Sequence, residues 1–477
     1  MAVPGFSTIL RLPRHRPITA DGRTAATPSL QLLTWLALPV GGRTKEIDVK
    51  LRRATTLSIM ISSLLLAAAC GNGSQSSQQS DKLEGRGPIT FATGKDDGSG
   101  LNPRIVEEWN RTHPQEPVRL IELPASGDEQ RQQMIQNAQT ESDAFTVLDL
   151  DNVWMSEFAA HRWISPLPKE QFDTSTFLRP NLETAEYRGR LFAVPHGSDG
   201  AMLYFRKDLL TKAGVAPPKT WSEMQQACEK VLALPEAAGM SCYTGQFEKY
   251  EGMVANFAEA VHSAGGEIVG ADGKPHVNTP EAKRGLDFLV EGFRSGMIPK
   301  EAIAFKEAES RNAFQDGQLV FTRWWPAQWA SLSKTDGSSP VAGKFDVAPL
   351  PGLSGPGVSS LGGHNLAISA YGKNKATALD FIKFRTSEQQ QKFALDVGAS
   401  APSLAAVYDD PALQVKYPYL PVLKDSIANA EPRPRVINYG EVTQAIQDEA
   451  YSALAGAKSS QQALADMQSR LEQLRKP

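Results

Sequence analysis

From Pro88 onward, short apolar runs of period two alternate with longer stretches of period near 3.6. Ile89-Thr90-Phe91-Ala92 reads as a strand, and Pro103 to Thr112 then places Ile105, Val106 and Trp109 on one helical face. Val118-Arg119-Leu120-Ile121 is a second strand, Asp128 to Gln139 a second helix, and Phe145 to Leu150 a third strand followed by a helix from about Val153. This β-α-β-α rhythm predicts an α/β fold with a mainly parallel sheet covered by helices. Later segments keep the grammar. Thr279-Pro280 supplies an N-cap and an N1 proline ahead of a stripe of Leu286, Leu289, Val290 and Phe293. Leu464, Met467, Leu471 and Leu474 form a similar stripe in a C-terminal helix, and both stripes read as core packing. The Gly/Pro/Ser-rich stretch from Pro349 to Gly363 is a loop leading into a strand over Asn365 to Ser369. A chain of 477 residues favours two lobes over one core.

The N-terminal 85 residues follow other rules. Lys50, Arg52 and Arg53 precede an apolar run from Leu57 to Ala69, the layout of a secretory signal. The run ends in Leu66-Ala67-Ala68-Ala69-Cys70, which resembles the lipobox of bacterial lipoproteins, with Ala67 where Leu is usual. That resemblance implies lipidation of Cys70 and a place at the extracellular face of the membrane. Residues 49–69 are then the signal peptide and 70–85 a flexible Gly/Ser/Gln tether. Residues 1–48 fit neither leader nor domain; we expect them to be a spurious extension, with translation starting at Val49.

Charge and cysteines narrow the function. Residues 1–69 hold nine Lys/Arg and three Asp/Glu, leaving 41 basic and 50 acidic residues in the rest. A body that acidic argues against a nucleic-acid partner. With Cys70 set aside, Cys228 and Cys242 remain as a possible disulfide in an exported chain, the alternative being two buried thiols. No CxxC, Cys/His zinc spacing, H-E-x-x-H or G-x-S-x-G occurs, so neither a metal site nor a cofactor is expected.

Seven phrases then line up in order. They are Trp109-Asn110-Arg111-Thr112-His113-Pro114; Asp151 to Phe158 with Trp163-Ile164-Ser165-Pro166-Leu167; Asp199 to Leu210; Tyr250-Glu251-Gly252-Met253; Arg323-Trp324-Trp325-Pro326; Leu361 to Ser369; and Arg433-Pro434. Together they resemble the extracellular solute-binding proteins of carbohydrate ABC importers, with the trehalose/maltose-binding lipoprotein branch nearest. The resemblance implies the two-lobe fold of periplasmic binding proteins, of the maltose-binding type, with a hinge of crossing segments. By it, lobe one takes 86–196 plus 365–400 and lobe two takes 200–361 plus 404–477. Crossings then fall near Asp199, near Gly362 to His364, and near Ala401-Pro402.

The same resemblance places ligand groups on the crossings. Asp151, Asp199 and Glu251 would accept from sugar hydroxyls, Arg433 would donate, and Trp325 would cover a C–H face. Gly362 and Gly363 would let backbone approach the ligand. His364 stands where some relatives carry a stacking Trp, and Gly197 where some carry a Tyr, so the site is expected to be roomier or more polar. Asp97 and Gln130 are lesser candidates. Alternatives stay open: Asp151 as an N-cap, Asp199 as a turn aspartate, Glu251 as a surface residue, Trp324 in place of Trp325, and Arg435 in place of Arg433. The implied function is capture of a disaccharide, trehalose or a related α-linked one, or another small glycoside. A monomer would deliver it to ABC permease subunits, without enzymatic turnover. A sensor lipoprotein presenting its sugar to a membrane receptor is the rival, and a glycosidase using Asp151 and Asp199 a more distant one.

Overall fold

The computed structural model describes residues 82–95, 98–270 and 272–475. Within them the strands are β1 (Ile89–Gly94), β2 (Val118–Leu123), β3 (Val147–Asp151), β4 (Glu186–Tyr187), β5 (Arg190–Leu191), β6 (Ala193–Pro195), β7 (Met202–Arg206), β8 (Ser241–Thr244), β9 (Leu319–Trp324), β10 (Phe345–Ala348) and β11 (His364–Ile368). The opening units form as periodicity predicts. The helix Leu101–Thr112 buries Leu101, Ile105, Val106 and Trp109, and the helix Gly127–Gln139 buries Met134, Ile135 and Ala138. β1 pairs in parallel with both β2 and β3.

The described chain builds two lobes, each around its own sheet. One sheet has the order β2-β1-β3-β11-β6, the other β10-β7-β9-β8, and β4 and β5 form a separate hairpin. The expected mainly parallel sheet needs correction. β11 runs antiparallel to β3 and β6, and β7 runs antiparallel to β9 and β10, leaving β8–β9 as the parallel pair of the second sheet. The physical reason is that a strand returning from the other lobe re-enters from the far end. Strand β7 serves two cores by alternation. Leu203 and Phe205 pack with helices Trp221–Leu232, Glu251–Ser263 and Pro280–Ser295; Met202 and Tyr204 pack with Phe345, Tyr408 and Tyr419 on the other face.

Three crossing segments lie side by side and are laced by backbone bonds. Gly362 N–H donates to Asp199 O at 2.8 Å, His364 N–H to Gly197 O at 3.2 Å, His196 N–H to His364 O at 3.0 Å, and Ser198 N–H to Ala401 O at 3.0 Å. The helix Tyr439–Leu454 adds a fourth link. Its first residue, Tyr439, packs into the core of the first sheet, while Ala445, Ile446 and Ala450 pack into that of the second. Cys228, on the helix Trp221–Leu232, is bonded to Cys242 on β8, with Cα atoms 5.5 Å apart. Among the described residues no helix is long and apolar enough to cross a membrane.

Candidate functional site

The first polar cluster forms where β3 ends. Asp151 accepts from the Val153 N–H at 3.2 Å, capping the short turn Asn152–Trp154, so the N-cap alternative is real. It also accepts from Arg433 Nη2 at 3.0 Å. Arg433 is buried and donates through Nη1 to Glu251 as well. Glu251 begins the helix Glu251–Ser263 and is itself buried, with its oxygens also taking Tyr439 Oη at 2.5 Å and Thr443 Oγ1 at 2.6 Å. Burial raises the Glu251 pKa, with Arg433 opposing. Burial also works against the Arg433 charge, but Asp151, Tyr439 and Glu251 outweigh it and hold the guanidinium above the usual arginine value. Arg433 thus fastens a strand of the first lobe to a helix of the second. Arg435 is exposed and donates to Glu183 O at 2.9 Å, away from this cluster.

The second cluster lies on the crossings. Asp199 is half-buried, and its carboxylate takes no hydrogen bond from any described residue. Burial pushes its pKa up to about 6, with His364 opposing and Asp151 adding to the rise. Beside it is Gly362, where a Cβ would meet Trp325 Cζ3 at 2.9 Å and Asp199 Cβ at 3.0 Å. Only a glycine lets the Trp325 ring and Asp199 close over the crossing backbone. Gly363 has φ +104°, and a side chain there would run into Gly197 O. Trp325 is half-buried, with the Arg323 guanidinium 3.8 Å from the ring centroid. Arg323 is held by Glu259, at 2.7 Å to Oε2, and by Gln246 Oε1 at 3.0 Å. Trp324 is buried, its indole N–H bonded to Ser310 Oγ at 3.1 Å and Glu307 O at 3.2 Å. Between the two tryptophans, Trp324 is core and Trp325 stays partly exposed beside the crossing at Gly362.

The third cluster stands behind β11. Asp149 precedes Asp151 by two residues and is buried. Its Oδ1 accepts from His196 Nε2 at 2.8 Å and His364 Nδ1 at 3.1 Å, and its Oδ2 from Thr93 Oγ1 at 2.6 Å. Burial opposes ionisation of Asp149, but His196 and His364 outweigh it and hold the carboxyl well below its usual value. Burial lowers the His196 pKa, with Asp149 opposing. Burial also disfavours charge on His364, yet Asp149, with help from Asp151 and Asp199, carries its pKa up to about 9.

The structure therefore brings together Asp151, Asp199, Glu251, Trp325, Gly362, Gly363, His364 and Arg433. It does not bring Gln130 to them as a free group: that side chain is buried and its amide donates to Pro124 O at 2.9 Å and Ala125 O at 3.3 Å. Asp97 and Cys70 lie outside the described residues. Sequence reasoning missed Asp149 and His196. The available signal was the Asp149-x-Asp151 spacing, which puts both carboxylates on one face of a strand. Among the described residues no group of His, Cys, Asp and Glu is arranged to hold a metal ion.

Two α/β lobes hinged by hydrogen-bonded crossings, with acceptors, a cation and an aromatic ring gathered at the hinge, define a solute-binding protein. Residues 92–392 match the bacterial extracellular solute-binding protein family, and the chain belongs to it. Its overall fold is that of the maltose-binding-protein type. A protein of Deinococcus radiodurans described as a probable ABC transporter-binding protein is 30% identical over 369 residues, covering 75% of this chain and 86% of the relative. The solved structure of maltose-bound T. maritima MalE3 is 32% identical, with a TM-score of 0.77 over 81% of this chain and 99% of that one. A mannitol-binding protein of Pseudomonas aeruginosa is 24% identical over 73% of this chain and 81% of its own. Family membership makes this a solute-binding protein, not an enzyme.

Proposed function

We propose that this protein captures a small sugar or sugar alcohol in the cleft at the crossings and delivers it to ABC permease subunits. The observation that carries the reading is Asp199: a carboxylate on a crossing, without a donor among the described residues, beside the partly exposed Trp325 ring. A polyol supplies what both lack, an O–H for the carboxylate and a C–H patch for the ring. The ligands named for the T. maritima and P. aeruginosa relatives, maltose and mannitol, support that class. Within it, an α-linked disaccharide such as trehalose is our first choice, on the strength of the ordered phrases along the sequence. We take the hinge to be the three crossings, so that a ligand touching both lobes favours closure. The leader pattern and the tether support export with lipid attachment at Cys70, which mass spectrometry of the mature protein would test.

The direct experiment is calorimetry with trehalose, maltose and mannitol. Wild type is expected to bind at least one, and Asp199→Ala to bind none while keeping the wild-type circular dichroism. Binding of none by wild type, or full affinity in Asp199→Ala, overturns the reading. Trp325→Ala is expected to weaken binding by about 1–2 kcal/mol and to remove the ligand-dependent fluorescence change.

A further inference from the structure

Most polar groups at the crossings satisfy one another, but His364 is tied on one side alone. Its Nδ1 is bound to Asp149 from behind, while its side chain is 37% exposed. Its Nε2 makes no hydrogen bond with any described residue and is not among the buried unpaired atoms, so it is open to solvent beside the crossings. The residue sits at the head of β11, opposite Asp151 in the β3–β11 ladder. Its backbone is fixed on both sides, by the bond from its N–H to Gly197 O and that from His196 N–H to its carbonyl.

Asp149 decides what this imidazole can be. Three donors converge on one buried carboxylate: His196, His364 and Thr93. A carboxylate so supplied stays ionised, and an ionised carboxylate behind Nδ1 fixes a proton there and favours a second on Nε2. His196 serves as a neutral donor through Nε2, since its Nδ1 is buried without a partner. Without the carboxylate, Nε2 of His364 would be free to act as an acceptor.

We propose that His364 is a ligand-contacting donor through Nε2, and that Asp149, backed by His196 and Thr93, is the positioning residue that fixes it in that role. The proposal rests on reading the crossings as the solute site, and it sharpens the ligand class. Asp199 and His364 stand on crossings joined by the Gly362-to-Asp199 backbone bond, one an acceptor and the other a donor. Together they read a neutral glycoside that offers a hydroxyl hydrogen to Asp199 and a lone pair on a neighbouring oxygen to His364. A ring or glycosidic oxygen, which can only accept, satisfies His364; an ammonium group at that position is repelled.

The charged and titratable groups acting on His364 are Asp149 and Asp151 of β3, Asp199 of the crossing, His196 after β6, and, through its effect on Asp149 and His196, the buried Arg385 of the helix Lys375–Arg385. Three carboxylates and one neutral imidazole face His364, with Arg385 acting on Asp149 and Arg433 paired to Asp151. The donor therefore persists through neutral pH and is lost as pH rises through about 9.

Two measurements test this. The first follows histidine Cε1–H signals by NMR in the unliganded full-length mature protein, with His364→Gln giving the assignment. His364 is expected to titrate near 9 in wild type and at or below the ordinary value of about 6.5 in Asp149→Asn. A wild-type His364 titrating at the ordinary value overturns the Asp149 assignment, and this needs neither a change at Asp149 nor a ligand. The second is calorimetry with the sugar that binds wild type. Affinity is expected to fall about tenfold between neutral pH and about pH 10, one unit above the imidazolium value. His364→Gln should lose that pH step, and Asp149→Asn should already be weak at neutral pH. Wild-type affinity in His364→Gln overturns the ligand contact. If wild type binds no sugar, the proposed function falls, and the NMR titration still decides whether Asp149 holds His364 as a donor.

Discussion

Asp199 holds an acidic group half out of water with no donor among the described residues, and such a group weakens the fold that carries it. Its folded pKa of about 6 lies above the unfolded value of 3.8, so the stability it contributes is full below about 4 and is lost as pH rises through 6. Asp199→Asn is therefore expected to make the unliganded protein more stable at neutral pH, by about 1–3 kcal/mol, while binding is lost. Urea unfolding with and without sugar checks both halves, and a destabilised Asp199→Asn would show that the carboxylate has a partner. Arg433 is the opposite case. Truncating it leaves Asp151 and Glu251 without their cation, and Arg433→Ala is expected to cost about 3–5 kcal/mol. At this scale the sequence displayed the residues that the structure gathers at the crossings, because Asp199, Trp325 and Arg433 each sit in a recognisable local phrase. It hid the contacts of Asp149, whose partners Thr93, His196 and His364 come from separate segments that only strand pairing unites.

Among the elements, legibility followed exposure. Helices with one wet face, such as Leu101–Thr112 and Pro280–Ser295, announced themselves by their stripes. The helix Glu251–Ser263 is buried at every position from Glu251 to Val261, so it has no polar face to set a period. Strand direction was likewise invisible, since period two is the same in parallel and antiparallel pairs. The crossing that joins Leu361 to β11 depends on Gly363, whose φ of +104° and contact with Gly197 O leave no space for a side chain. Gly363→Ala is expected to lower stability by about 1–3 kcal/mol and to loosen the β11 entry. Thermal unfolding gives the first; faster hydrogen exchange at Gly197 and His364 than at β1 gives the second.

For the molecule as a whole, two titrations bracket the working range. Asp199 is ready to accept above about 6, and His364 remains a donor below about 9. Affinity plotted against pH is expected to form a plateau between those values, with a falling limb on each side. Sugar should also raise the unfolding temperature by mass action, most strongly on the plateau, and a flat profile from pH 5 to about 10 would contradict the pairing of these two groups. The arginine bridge has a consequence beyond the lifetime of one molecule. Because Arg433 neutralises two carboxylates in different lobes at once, its loss in a descendant strands both, and loss of either carboxylate strands it less severely. Drift at these three positions is thus constrained to concerted change, and lineages that abandon the arginine should be those that have also replaced Asp151 and Glu251 with uncharged residues.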